Sequence, residues 1–522
     1  MSSVRRWKAA LVVGAAALVM SACGGGGDDG DSGDGAAAGD PVSGGSVSLI
    51  QMSEPRIMDP AAMSNSLSTN AIVGNAVFGQ LLADKADGSF DYVLAKSLES
   101  ADGGTTWKLT LQDGLTFSDG SPMTAADVAF NWERIKDPQL GSQSRTTALY
   151  VSDMKPEGQV LTFTLTEPIA NFGYAITGGS LNWVAKTDAL KAAPAEFDKN
   201  PVGAGSFTLK SWTRGGKMVL AKNPKYFDKP KPYLDELVLT ANGDEGQRFS
   251  TVESGGADAT ASSSASFYKH GLDNGLKGVK LDLNGGITMS MNSRLAPFDD
   301  PRAREAVAKG VDLKAVNAAA YEGIGQAPTT LFAKSSPFYT DTPLTAYDKA
   351  GAQKLFDEIA ADGKPVAFTI TAYQTSESKR VAEAFQAGLS AYKNVTVKVE
   401  VLDFPAATAK VNAREFQMAP GGIGFIDPET IVYQNLHGKS PGTYSGVDDP
   451  QLNAALEKGR LSSDPAERKD AYKVVAERIA ATNPIIIYTK YTNGIAFDPK
   501  VAGFVQYGNS STRVDGVWTT KK

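Results

Sequence analysis

Between Thr105 and Ile135 the chain reads TTWKLTLQDGLTFSDGSPMTAADVAFNWERI, and this order of residues leaves few local structures open. Trp107, Leu109 and Leu111 alternate with polar residues, the period of a strand with one buried face. Asp113-Gly114 supplies hairpin turn residues, so Leu115 and Phe117 are expected on a return strand that Asp119-Gly120 ends. Thr124 is placed to cap a helix, with Asp127 as an acidic variant of the capping box. Val128 and Trp132 bring bulk to one face of that helix and Phe130 to the opposite face. A strand, a tight turn, a strand and a capped helix could belong to many folds; the particular words are rarer.

The run from Leu111 to Val128, Leu-x-Asp-Gly-Leu-x-Phe-Ser-Asp-Gly-x-Pro-Met-Thr-Ala-x-Asp-Val, resembles the signature of the family 5 solute-binding proteins, the peptide- and nickel-type receptors of bacterial ABC importers. Further stretches carry the same resemblance. They are Ile57-Met-Asp-Pro60, Leu94–Ser100, Pro201-Val-Gly-Ala-Gly-Ser-Phe207 through Trp212, and Asn223-Pro-Lys-Tyr-Phe227. Met291-Asn-Ser-Arg294 through Arg302 and Tyr444 through Asn453 complete the set, so the resemblance spans about Ser46 to Gly503. Gly203 and Gly205 are expected to let the chain turn tightly before the strand at Phe207. These words build scaffold and do not name a ligand.

What the resemblance implies is an α/β, two-lobed, periplasmic-binding-protein-like fold, hinged and of class II type, with an extra small α+β domain. The implied order is lobe one at 46–70, 201–284 and 486–522, the small domain at 71–200, and lobe two at 285–485. Strands alternating with helices over 345–425 imply a mostly parallel sheet. Ligands in such sheets lie beyond the carboxyl ends of strands, which points to Tyr373-Gln374 and to Gly422–Asp427.

The beginning of the chain reads as an address and a tether. Arg5, Arg6 and Lys8 precede an apolar run from Ala9 to Met20, short for a membrane span but right for a signal segment. Met20-Ser21-Ala22-Cys23 resembles a bacterial lipobox, so residues 1–23 read as a lipoprotein signal with Cys23 as the lipidation site. Cys23 is the sole cysteine, which excludes an intrachain disulfide. Residues 24–45, GGGGDDGDSGDGAAAGDPVSGG, lack core-forming side chains and read as a flexible tether. Fully stretched, the tether reaches at most about 70–80 Å. The expected location is the extracytoplasmic face of a bacterial cell membrane, held by lipid.

Ser46 to Lys522 leaves 477 residues, enough for two or three domains. Without Arg5, Arg6 and Lys8 the chain carries 49 basic and 58 acidic residues, a net of −9 with no basic block, which disfavours nucleic-acid binding. His270 and His437 are scattered and read as ordinary surface or loop histidines; no metal, triad or phosphate-loop spacing appears, so no metal, cofactor or enzymatic activity is expected.

The expected function is a monomeric, ligand-capturing lipoprotein of an ABC importer for oligopeptides or dipeptides. It closes by hinge motion and delivers solute to permease subunits with cytoplasmic ATPases. The alternatives are the same scaffold binding a non-peptide solute (oligosaccharide, opine, cofactor or metal chelate), or a sensor not coupled to transport. Candidate ligand-binding residues are Asn65, Ser66 and Leu67 before the first helix, the aromatic residues Trp183, Tyr373 and Phe425, and Gln374, Gly424 and Asp427. Peptide binders that this chain resembles place an aspartate where Gly424 stands; the resemblance therefore implies either another carboxylate for a ligand ammonium or a ligand without a free amine. Asp427, in an Asp-Pro pair, also suits turn or helix capping.

Overall fold

The computed structural model describes residues 39–522 apart from 68–69, 86, 193–195, 509–511 and 522; Cys23, the signal segment and most of the tether lie outside the described residues. Within this body the strand Ser46–Gln51 sits at the centre of a seven-stranded sheet. It pairs in parallel with Glu236–Ala241 on one side and Ala259–Ser262 on the other. Antiparallel strands Met218–Lys222 and Phe207–Trp212 extend one edge, and Thr492–Phe497 and Lys277–Asp282 extend the other. A second sheet has five strands in the order Val395–Leu402, Val366–Tyr373, Met418–Phe425, Asn284–Met291 and Ile485–Thr489.

The strands of 345–425 run parallel, as expected, and the sheet as a whole is mixed because Asn284–Met291 and Ile485–Thr489 join it. Val366–Tyr373 pairs in parallel with both neighbours, whereas Asn284–Met291 runs antiparallel to both of its own. Helices cover both faces. Ile486 and Tyr488 enter the core under the helices Pro301–Gly310 and Ser376–Leu389, while Ile485 and Ile487 enter the core on the other face. Burial on both sides explains why this strand reads as an unbroken apolar run rather than an alternation.

The opening motif folds differently from the expected hairpin. Thr106–Leu111 is a strand, but its neighbours are Ala95–Ser100 and Val160–Leu165 in a four-stranded sheet. Leu115 and Phe117 instead anchor a loop, closed by a single bridge between Thr116 and Pro122, and both side chains are buried. Thr106–Leu111 already pairs on one edge with the strand just before it, Ala95–Ser100, and on the other with the distant Val160–Leu165, so no edge is left for a return strand at Leu115. The helix Ala125–Ile135 starts as expected: the Asp127 carboxylate accepts from the Thr124 backbone at 3.0 Å and from its hydroxyl at 3.2 Å. Val128 and Trp132 enter the small sheet's core, and Phe130 packs on the core of the seven-stranded sheet. One helix thus joins two cores.

Two boundaries move. The helix Ala71–Phe78 and the side chains of Trp183, Ala185, Leu190 and Phe197 pack in the seven-stranded sheet's core, whereas Ala61, Leu81 and Leu82 pack in the small sheet's core. Ile485–Thr489 pairs in the five-stranded sheet, not with the last segment of the chain. Gly203 and Gly205 also act otherwise than expected. Neither has a left-handed backbone; a β-carbon would lie 2.3 Å from the Val77 carbonyl oxygen at Gly203 and 2.1 Å from that of Ala76 at Gly205. Close approach to the end of Ala71–Phe78, not turning, demands glycine there.

Candidate functional site

The two large sheets are joined by two strand-to-strand crossings. Lys277–Asp282 ends in the first sheet and Asn284–Met291 begins in the second, with Leu283 between them. Ile485–Thr489 leaves the second sheet and Thr492–Phe497 re-enters the first, through Lys490 and Tyr491. The crossings are tied together: the Leu283 N–H donates to the Tyr491 carbonyl at 3.0 Å, and the Thr492 hydroxyl donates to Asp282 at 2.8 Å. Paired extended segments of this kind tolerate rotation while keeping their register.

A cavity of about 200 Å³ draws its wall from both sides of these crossings. Asn65, Asp84, Gln143, Thr147, Tyr174 and Thr177 come from the chain before Leu283; Gly424, Phe425, Asp427 and Gln434 come from the chain between the crossings. A larger hollow, about 790 Å³, lies beside Ile485–Ile487 and is lined only by residues between the crossings. Rotation about the crossings would leave the larger hollow unchanged, so the smaller cavity is the functional candidate.

The polar groups of this wall are held firmly. The Asn65 amide donates to the carbonyls of Thr177 at 3.0 Å and Gly179 at 3.1 Å. The Tyr174 hydroxyl donates to the Gly88 carbonyl at 2.6 Å. Burial, with Asp427 and Asp84 nearby, pushes that phenol's pKa well above its ordinary value, so it stays a neutral donor. Asp427 receives both guanidinium nitrogens of Arg468 at 2.7 and 2.8 Å and also accepts from the Glu429 N–H at 2.9 Å. It thus combines turn capping with a buried bidentate ion pair. Asp84, also buried, brings a second carboxylate to the wall.

Of the residues expected at the site, Asn65, Gly424, Phe425 and Asp427 come together in this cavity. Ser66 stands beside Asn65, half-buried in the turn before the first helix, and Leu67 is buried in the first sheet's core. Trp183 is a core residue: it is wholly buried and its indole N–H donates to Asn75 at 2.8 Å. Tyr373 is half-buried and Gln374 exposed at the end of Val366–Tyr373, and neither lines the cavity. His437 is buried, not on the surface, with its ring stacked on Tyr433 and 3.1 Å from Glu457.

Gly424 has a visible reason to be glycine. A β-carbon there would lie 3.0 Å from the Tyr491 ring and 3.1 Å from Leu283, one residue from each crossing. The aromatic ring occupies the space a side chain at 424 would need. The sequence reading missed Tyr491, Asp84, Thr147, Tyr174 and Gln434. The last four sit in stretches that look like scaffold, and nothing in their spacing separates them from it.

Comparison with known proteins gives a consistent picture. The profile described as "Bacterial extracellular solute-binding proteins, family 5 Middle" matches residues 90–443. Protein XP55 of Streptomyces lividans is 26% identical over 424 residues, 77% of this chain and 76% of that protein. The probable D,D-dipeptide-binding periplasmic protein DdpA of Escherichia coli (strain K12) is 24% identical over 442 residues, 81% of this chain and 83% of that protein. The solved structure of the PBP AgaA in complex with agropinic acid, from A. tumefaciens R10, superposes with a TM-score of 0.80 at 23% identity, covering 92% of this chain and 99% of that one. At that identity the likeness establishes a shared two-lobed fold.

Proposed function

Because this chain belongs to the bacterial extracellular solute-binding proteins of family 5, we propose that it captures a compact peptide outside the cytoplasm and passes it to ABC permease subunits. The observation that carries this reading is the cavity of about 200 Å³ whose wall comes from both sides of the paired crossings. A ligand touching both walls stabilises the closed arrangement by its differential affinity for it, and a permease reads closure; no bond-making step is needed. In this reading the first lobe holds the seven-stranded sheet, the second lobe runs from Asn284 to Lys490, and the small domain is built on the sheet at 95–165. The volume is below the roughly 300–1,000 Å³ of drug-sized sites, which favours a dipeptide or similar solute over a long peptide. Asp84 supplies a carboxylate in the wall, the counter-charge that Gly424 cannot provide.

A non-peptide solute such as an opine is the second reading, and Gly424 favours it: the space where a side chain at 424 would reach is filled by the ring of Tyr491, not by an anion. Native mass spectrometry of freshly purified protein tests both by reading the mass of a co-purified ligand. Thermal-shift screening separates them further. Stabilisation by dipeptides, lost on N-acetylation, supports the first; no response to peptides and a clear response to opines or oligosaccharides overturns it. Cys23 is the proposed lipid anchor, and Cys23→Ser is expected to release the protein from membranes into the soluble fraction.

A further inference from the structure

Apart from the crossings and the cavity, one charged side chain spans the seam between the small domain and the second lobe. Arg460 lies near the end of the helix Pro450–Leu461, in the second lobe, and is only 4% exposed. Its guanidinium is sandwiched between two rings, 4.3 Å from Tyr150 of the small domain and 4.4 Å from Tyr433 of its own lobe. Nη1 donates to Glu167 of the small domain at 2.6 Å, and Nε lies 3.1 Å from the buried Glu429 of its own lobe. The backbone follows the side chain: the Ala170 N–H donates to the Arg460 carbonyl at 3.1 Å.

From this geometry we infer that Arg460 is a closure latch, giving the closed form stability of its own, independent of the ligand. Two of its four partners, Tyr150 and Glu167, belong to the small domain and two to the second lobe. Any opening about the crossings therefore strips the guanidinium of half its contacts. Opening also exposes a ring face and breaks the Ala170 bond. A guanidinium held between aromatic planes keeps its attraction when water is excluded, and arginine, unlike lysine, can stack and pair at once. Glu429 keeps the cation neutralised when the seam opens, so Arg460 need not leave its place to release Glu167. The inference rests on the two-lobed hinge reading but not on any ligand identity.

Hydrogen exchange of the ligand-free full chain tests it, because neighbouring amides report different events. Ala170 donates across the seam, whereas Ile169 donates to the Gly104 carbonyl within the small domain. Opening exposes the first and spares the second. Glu167→Gln removes one side of the latch at a half-exposed position and is expected to speed exchange at Ala170 by roughly threefold, with Ile169 unchanged. Arg460→Met removes the whole device and is expected to speed it by at least roughly tenfold. Unchanged exchange at Ala170 in both variants, or equal acceleration at Ile169, overturns the latch. The hinge itself is checked separately in the unsubstituted protein: if Ala170 exchanges only with global unfolding, the lobes do not separate and the hinge reading fails instead.

Discussion

Arg468 and Arg460 use the same chemistry to opposite ends. Both are buried, both pair with carboxylates and both sit against aromatic rings, Phe338 and Tyr472 in one case and Tyr150 and Tyr433 in the other. Every partner of Arg468 among these, Asp427 included, lies in the second lobe, so its pair is formed in any arrangement of the lobes. Arg460 divides its partners between two bodies, so its pair exists in full only when they meet. Burial alone does not make an ion pair structural or conformational; the placement of the partners in the fold does.

The largest effect should come from breaking the internal pair. Asp427→Ala leaves the Arg468 guanidinium buried without its counter-charge and is expected to cost about 3–5 kcal/mol, measured by urea denaturation. A loss under about 1 kcal/mol would place Arg468 with the exposed pairs and erase the contrast.

A further, half-buried carboxylate tests the same rule from the other side. Glu245 accepts from the Ser262 hydroxyl, but its nearest arginine nitrogen, on Arg248, stands 3.9 Å away. Burial raises its pKa to about 7, with Glu377 adding to the rise. A carboxyl group whose folded pKa is raised contributes stability below its unfolded pKa, and that contribution is lost as pH rises through the folded value. Stability should therefore fall by about 3 kcal/mol between about pH 4.5 and 7. Glu245→Gln should flatten that part of the profile in denaturation midpoints collected across pH. A slope that persists in the variant assigns the effect to another group.

At the crossings the comparison shifts from charge to shape. Gly424→Ala pushes a methyl group against Tyr491 and Leu283 and should cost about 1–3 kcal/mol by thermal or urea unfolding. A double variant with Tyr491→Leu should recover most of that loss. The smallest effect on stability belongs to the seam: Glu167→Gln should change the unfolding free energy by at most about 1 kcal/mol while altering exchange at Ala170. This separation of global stability from local opening is what distinguishes Arg460 from Arg468.

Much of the scaffold was legible in the chain because its signals are local. The cap at Thr124 and Asp127 and the strand around Trp107, Leu109 and Leu111 both follow from neighbours within a few residues. Family membership was legible for the same reason, since the recurring words are turns, caps and strand starts. The expected hairpin at Leu115 failed because both edges of Thr106–Leu111 are taken, one by the preceding strand Ala95–Ser100 and the other by the distant Val160–Leu165. Trp183 was expected as an aromatic wall and lies in a core, because nothing local tells a buried ring from a lining one.

By itself the sequence determined the helix starts, the strand periods, the family and the place of the glycines. Only the tertiary structure decided which glycine yields to a ring, which carboxylates share a cavity and which arginine faces another body. The physical reason is range. Caps and periodicity act over one turn of chain, whereas Gly424 meets Tyr491 and Arg460 meets Glu167 across separations that no local pattern encodes. A cleft is made of such meetings, so its chemistry appears only once the chain has folded.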